Sequence, residues 1–335
     1  MKKLLTPLLL FLLASAAVPV LHAGSVDADR KSAEQGDAAS QFSMGLRYET
    51  GKDVDRDFST AAEWYRKAAQ QGHKKAQTNL GNLYRGGKGV DKDYGEAMKW
   101  YRKAAGQGDT KSMINLAMMY AMGEGVDKDE AAGLKWLEDA AAAGDTQAMV
   151  QLGTMYRSGK GVGKNYEMST EWFRLAAAKG DTVAQHNLGL SYFTGKGTKK
   201  DFAESVKWHR KAADKGYPPA EYSMGLRYAK GDGVKQDYSE AAKWYQKAAK
   251  HGHTSAQNNL GVLYRNGRGV SKDNAEAVKW FRKAAERGHA QAQFNLGNMY
   301  LKGMGVKQDR AEASKWFTRA ADQGNKGAAK ALEAM

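Results

Sequence analysis

Trp64, Trp100, Trp136, Trp172, Trp208, Trp244, Trp280 and Trp316 are all the tryptophans in this chain, and each follows the last by 36 residues. A period of this size without slippage marks an array in which one supersecondary unit recurs and buries its apolar face only by stacking on its neighbours. An ordinary chain of 335 residues would divide into two or three globular domains. A repeat array instead grows by adding units, so one continuous stack is expected here.

Each unit reads as helix, loop, helix. In the second copy, Ala76, Leu80, Leu83 and Tyr84 form an apolar stripe at helical spacing. Asp37, Asp109, Asp145, Asp181 and Asn325 stand just ahead of this first helix in five copies, where their side chains can accept from free N–H groups. His73, His253 and His289 fill the same slot in three others. Gly81 lies mid-helix, as do Gly45, Gly153, Gly189, Gly225, Gly261 and Gly297, with Ala117 in the remaining copy. Glycine there costs about 1 kcal/mol against alanine, so we expect a neighbouring backbone to cross closely. A Gly-x-Gly-Val loop follows, with Asp53 and Thr198 as departures, and its glycines allow a tight reversal. The second helix opens at Asp57, Asp93, Asp129, Asn165, Asp201, Asp237, Asp273 or Asp309. Glu96, Glu204, Glu240, Glu276 and Glu312 lie three residues further on, as in a capping box. Ala97, Trp100, Tyr101 and Ala104 make its buried stripe, and Gly108 ends it.

The copies occupy 37–72, 73–108, 109–144, 145–180, 181–216, 217–252, 253–288 and 289–324. Segment 24–36 resembles the end of a second helix and segment 325–335 begins a ninth first helix, so both are read as caps. Residues 1–23 carry Lys2 and Lys3, then an apolar run broken by Pro7 and Pro19, then Ala23 at a small-residue cleavage position. This pattern predicts a removed signal peptide and an exported protein, periplasmic in first place and otherwise secreted or at the cell surface, with no membrane anchor after cleavage.

The phrase A-x-x-x-L-G-x-x-Y-x-x-G-x-G-V-x-x-D-[YF]-x-x-A-x-x-W-[YF]-x-K-A-A-x-x-G resembles the Sel-one-like repeat (SLR) family, relatives of tetratricopeptide repeats, over residues 37–324. The resemblance implies an all-α, right-handed α-solenoid that binds proteins or peptides. One cysteine-rich branch is associated with β-lactam binding; with no cysteine in this chain, that activity is not carried over. The absence of cysteine also excludes disulfides, Cys-based metal sites and lipoprotein-type acylation.

No catalytic, metal or cofactor constellation emerges, and none is expected. The Gly-x-Gly-Val loop follows a helix and lacks the Gly-Lys-Ser/Thr ending of a phosphate loop. His251 and His253 flank Gly252 at a helix junction, where capping accounts for His253 better than metal ligation does. The formal charge of +15 admits acidic partners or anionic polymers. An exported protein meets little nucleic acid, so none is expected as a partner.

Laying the copies over one another shows where they differ. The positions of Thr78, Asn82 and Arg85 vary freely and form one stripe on the first helix. Of its 24 residues, 14 are apolar, too many for a face turned to open water. Either neighbouring first helices bury part of it, or it lines a concave groove for a protein or peptide, or both; the resemblance, in whose helical repeats the first helix faces the concave side, implies the groove. Its candidate contacts are Asn82, Arg85, Met118, Thr154, Arg157, His186, Leu190, Phe193, Tyr222, Arg265, Phe294 and Asn298. Arg85, Arg157 and Arg265 would offer forks for carboxylates, and Phe193, Tyr222 and Phe294 apolar anchors. The alternative function is an envelope protein that binds or processes peptidoglycan fragments or anionic glycans. Charge is uneven: the second copy carries 8 basic and 3 acidic residues, the third 3 basic and 7 acidic.

Overall fold

The computed structural model describes residues 26–335, so the expected signal peptide lies outside the described residues. They form eighteen helices and no strand. In chain order these are α1 (Val26–Glu34), α2 (Ala38–Thr50), α3 (Phe58–Gln70), α4 (Lys74–Gly86), α5 (Tyr94–Gly106), α6 (Thr110–Met122), α7 (Glu130–Ala142), α8 (Thr146–Ser158) and α9 (Tyr166–Ala178). There follow α10 (Thr182–Thr194), α11 (Phe202–Ala213), α12 (Pro218–Lys230), α13 (Tyr238–Lys250), α14 (Thr254–Asn266), α15 (Asn274–Glu286), α16 (Ala290–Lys302), α17 (Arg310–Ala321) and α18 (Lys326–Glu333). The described residues form an all-α solenoid made of two compact units, one ending at Trp136 and the other running from Leu137 to Met335. Within each, a helix packs chiefly on its neighbours in sequence. None of the described helices is long and apolar enough to cross a membrane.

The caps form as their side chains dictate. Asp93 Oδ1 accepts from Glu96 N at 2.9 Å, and Asp145 Oδ1 from Ala148 N at 2.9 Å. His73, His253 and His289 cap through Nδ1, each accepting a backbone N–H at 3.2 Å. The second half of the expected capping box does not close. The backbone N–H of Asp93 donates to the carbonyl of Tyr84 on the preceding helix. Glu96, freed from that duty, takes Lys99 one turn on at 2.7 Å, and Glu204, Glu240, Glu276 and Glu312 pair likewise with Lys207, Lys243, Lys279 and Lys315.

The mid-helix glycine has a different cause from the one its position suggests. A Cβ on Gly81 would stand 2.6 Å from Tyr101 Cε1, and on Gly153 2.7 Å from Phe173 Cε1. The nearest neighbour at these glycines is thus one edge of the ring that follows the tryptophan, and not a crossing backbone. These rings are more withdrawn than the tryptophans: Tyr65, Tyr101, Phe173, Phe281 and Phe317 are all 0% exposed. The tryptophans join one repeat to the next. Trp100 completes the cluster of Tyr65, Leu80 and Leu83, and Trp280 that of Tyr245, Leu260 and Leu263. Six of the tryptophans carry a cation from the next turn on the ring face, such as Lys103 at 4.5 Å from the Trp100 centroid.

In the loops, Gly89 has φ +68°, and a side chain there would run into the backbone of Phe58 in the preceding repeat. Asp53, which replaces glycine at this step of the first loop, keeps the positive φ of 62° and is tied by Arg47 Nη1 at 2.5 Å. Arg47 also binds Asp29 of α1 at 2.9 Å, and this buried pair fastens α1 to the first repeat.

Candidate functional site

The variable first-helix stripe is graded. Its first column packs between neighbouring first helices: Thr78, Ile114 and Asn258 are buried, and His186, Tyr222 and Phe294 half-buried. Apart from the buried Leu46, the second and third columns rise towards solvent. Asn82, Thr154 and Arg157 are exposed, while Met118, Leu190, Phe193, Arg265 and Asn298 are half-buried.

In the unit that ends at Trp136, Asn82 Oδ1 accepts the Tyr101 hydroxyl at 2.7 Å and the Asn115 amide at 3.2 Å. Arg85 is not an open fork, because its Nε donates to Glu124 of the next loop at 2.7 Å. Tyr65 donates to Glu49 at 2.5 Å and accepts from Asn79 at 3.0 Å. Burial, and next the Glu49 charge, raise that phenol far above its ordinary range. The asparagine column running through Asn79 and Asn115 thus orders the rim of the stripe. It drew no notice in sequence because a residue that repeats reads as fold.

In the unit formed by residues 137–335, the anchors sit in aromatic pairs. Phe193 lies 5.3 Å from Phe202 and carries the Arg227 guanidinium at 3.5 Å. Tyr222 stacks on His253 at 4.4 Å, and Phe294 leans on Phe317 at 5.8 Å. Arg265 lies over Phe281 at 5.8 Å, Asn298 donates to the Phe294 carbonyl at 3.0 Å, and Thr154 to that of Val150 at 2.9 Å. His186 packs 5.2 Å from His209, which replaces the usual ring after tryptophan. Burial pushes the His186 pKa down to about 4, helped by Arg157, and that of His209 to about 3, helped by His186. Both are therefore neutral at physiological pH.

The two histidines of the His-x-His pair are engaged separately. His253 caps α14, while His251 Nδ1 lies 2.8 Å from Glu221, a carboxylate only 2% exposed. Glu221 escaped notice in sequence, though its slot holds Gln or Met in every other copy. Among the described residues no group of three or more His, Asp or Glu is placed to hold a metal ion.

The stripe opens into one depression with chemistry of its own, a cavity of about 240 Å³ between α9 and α10. Arg157 and Lys196 stand at its rim, and Ser169 and Thr170, 2% and 1% exposed, at its floor. Asn187 and Leu190 connect it to the stripe, and Arg157 Nη1 donates to Asn187 Oδ1 at 2.6 Å.

The Sel1 repeat matches in eight copies, at residues 38–73, 74–109, 110–145, 146–181, 182–217, 218–253, 254–289 and 290–325. The chain is similar to the crystal structure of a protective antigen present in uropathogenic Escherichia coli strains, which displays an SLR fold. The two are 35% identical with a TM-score of 0.82, over 93% of this chain and 67% of that one. It is also similar to a Sel1 repeat protein from Oxalobacter formigenes, at 35% identity and a TM-score of 0.75, over 93% of this chain and 92% of that one. No curated protein matches the chain. With the repeat covering all but its ends, and with helices, caps and ring-on-glycine packing recurring in step, the chain belongs to the Sel1 repeat family, whose members generally serve as non-enzymatic scaffolds for protein interaction.

Proposed function

We propose that this protein is an exported scaffold that binds a protein or peptide on the first-helix faces of its repeats, without catalysing a reaction. The observation that carries the reading is the set of half-exposed apolar side chains at the variable stripe: Leu190, Phe193, Tyr222 and Leu226 in consecutive first helices. Apolar groups held at partial exposure on rigid helices lose little entropy on binding and suit the anchors of an interface. The polar rim built from asparagines supplies hydrogen bonds around them. Export rests on the Lys2–Ala23 leader pattern.

The test is site-specific photo-crosslinking in the native envelope fraction. A crosslinker at Leu190 or Tyr222 is expected to trap a discrete protein, and one at Lys243, on an exposed second-helix face, is not. Equal trapping at both, or none at the stripe, overturns the reading. The net charge of +15 favours a second reading, adsorption to an anionic glycan or lipid headgroup layer. That association would vanish as salt shortens the Debye length to about 3 Å near 1 M, whereas capture through apolar anchors persists.

A further inference from the structure

Where one repeat meets the next, a residue of the second helix is covered by two residues of the following repeat. At the fifth-to-sixth junction the corresponding places hold Val206, the buried Arg227 and Val234; at four others they hold Ala62 with Leu83 and Val90, Met98 with Met119 and Val126, Ala242 with Leu263 and Val270, and Val278 with Met299 and Val306. The twelve residues at these four are all apolar, and each trio plugs its junction. Between the fourth and fifth repeats the same three places hold Thr170, Ser191 and Thr198. Replacing leucine or methionine by serine at 191 removes most of the plug, and the cavity of about 240 Å³ opens there.

The space is chemically biased. Thr170 Oγ1 lies 3.1 Å from Ser191 Oγ and donates towards the Lys196 carbonyl at 3.3 Å, while Ser169 donates to Gly153 O at 2.6 Å. Two cations, Arg157 and Lys196, border it, and no carboxylate is among its lining residues. Lys196 and Lys164 both lie over the Tyr166 ring, at 5.3 and 5.1 Å. They hold its hydroxyl below the ordinary phenol range, Lys164 through a hydrogen bond above all. Leu190 and the Tyr166 ring form its apolar wall, beside the polar Asn187 and Thr194. The volume is below the roughly 300–1,000 Å³ of clefts that hold whole ligands, so the pit suits one side-chain-sized group. An apolar wall with a cationic rim matches a methylene stem ending in a charge-assisted acceptor better than a compact phosphate.

We propose that this pit binds a carboxylate of a peptide, an Asp or Glu side chain or the chain end, with Arg157 and Lys196 at the charge and Leu190 and Tyr166 along its stem. The proposal rests on the peptide-scaffold reading for its ligand, but its test does not need the natural partner. The probes are N-acetylglutamate, N-acetylglutamine and inorganic phosphate, titrated into the full protein by ligand-detected NMR. A single side-chain analogue is expected to bind with a Kd on the order of 1 mM. N-acetylglutamine should bind at least tenfold more weakly, and so should N-acetylglutamate to the Arg157→Gln/Lys196→Gln double variant. The Thr170→Ala/Ser191→Leu/Thr198→Val variant restores an apolar plug; it should melt at higher temperature than the parent and no longer bind. Equal binding of the amide and the acid, binding that survives the refilled junction, or phosphate binding in preference to the acid each overturn the proposal. Loss of stripe crosslinks with the pit's affinity intact would sink the scaffold reading alone. Crosslinks that persist while the pit binds nothing would sink this proposal alone.

Discussion

Gly81→Ala should fail to stabilise a helix that alanine ordinarily favours. Alanine gains about 1 kcal/mol over glycine in a helix interior. Here its Cβ would meet three atoms of the Tyr101 ring, at 2.6, 2.8 and 3.1 Å. The ring is fully buried and its hydroxyl is held by Asn82 at 2.7 Å, so it cannot slide aside without losing that bond. Overpacking of this kind costs about 1–3 kcal/mol, which leaves the variant level with the parent or up to about 2 kcal/mol less stable. Tyr101→Leu alone removes the ring and should cost about 2 kcal/mol, at the lower end of large-to-small core changes. The double variant removes the overlap and keeps the helix gain, so it should be about 1–3 kcal/mol more stable than the sum of the singles. The third repeat already pairs alanine with leucine in these two places, as Ala117 and Leu137.

The assay is urea denaturation of the four proteins followed by circular dichroism, with the m-values compared, because repeat arrays can lose cooperativity. Amide exchange in α4 and α5 locates the effect. Additivity within about 0.5 kcal/mol, or a Gly81→Ala protein stabilised by the full propensity gain of about 1 kcal/mol, would show that the ring does not dictate the glycine.

Three further outcomes follow from the same geometry. Asp29→Ala breaks the buried ion pair between α1 and Arg47, and should cost about 3 kcal/mol, read as faster amide exchange in α1 and α2. Phe173→Ala should cost about 3–5 kcal/mol, and more than Trp172→Ala, since Phe173 is 0% exposed and Trp172 is only half-buried; the reverse order in melting experiments would show the tryptophan to be the deeper group. Stability should fall as the solution is acidified. His186 and His209 have folded pKa values of about 4 and about 3, below the roughly 6.5 of an unfolded histidine. The unfolded chain therefore takes up protons first. Stability is whole above about pH 6.5 and declines down to the folded values, by about 1.4 kcal/mol per pH unit for each histidine. His209→Phe should flatten that limb in pH-dependent denaturation, and an unchanged limb would refute the assignment.

What was legible in the sequence was what is local. Asp93 and His73 cap because a side chain needs only the next few N–H groups. The box at Glu96 failed because its other half is tertiary: a carbonyl nine residues back, on Tyr84, already held the Asp93 N–H. Gly81 announced a need for small size without its cause, which lies twenty residues on at Tyr101, although the paired exception of Ala117 and Leu137 carried the hint. At the stripe, chain position marked Arg85 as variable and cationic. Its partner Glu124 lies 39 residues further on, in a loop, so its engagement was invisible. The pit needed three residues from two repeats to be compared as one set, which a reading along the chain does not do.

An array keeps such a set apart from the rest of its fold. Stability in stacked repeats is close to a sum of unit and nearest-neighbour contributions, so a junction that gives up its apolar plug weakens itself and leaves distant junctions as they were. The loss between α9 and α10 is only partly offset. Ser169 and Thr170 bond to backbone carbonyls, but Ser191 in place of leucine forfeits buried methyl contacts worth about 2–5 kcal/mol in comparable core truncations. The same substitutions put hydroxyls at the floor of the only described junction bordered by both Arg157 and Lys196. A packing defect alone would leave an apolar void, which stays dry and favours apolar ligands. This one has polar groups at its base and two cations at its mouth, an arrangement that costs stability when empty and gains it when an anion enters.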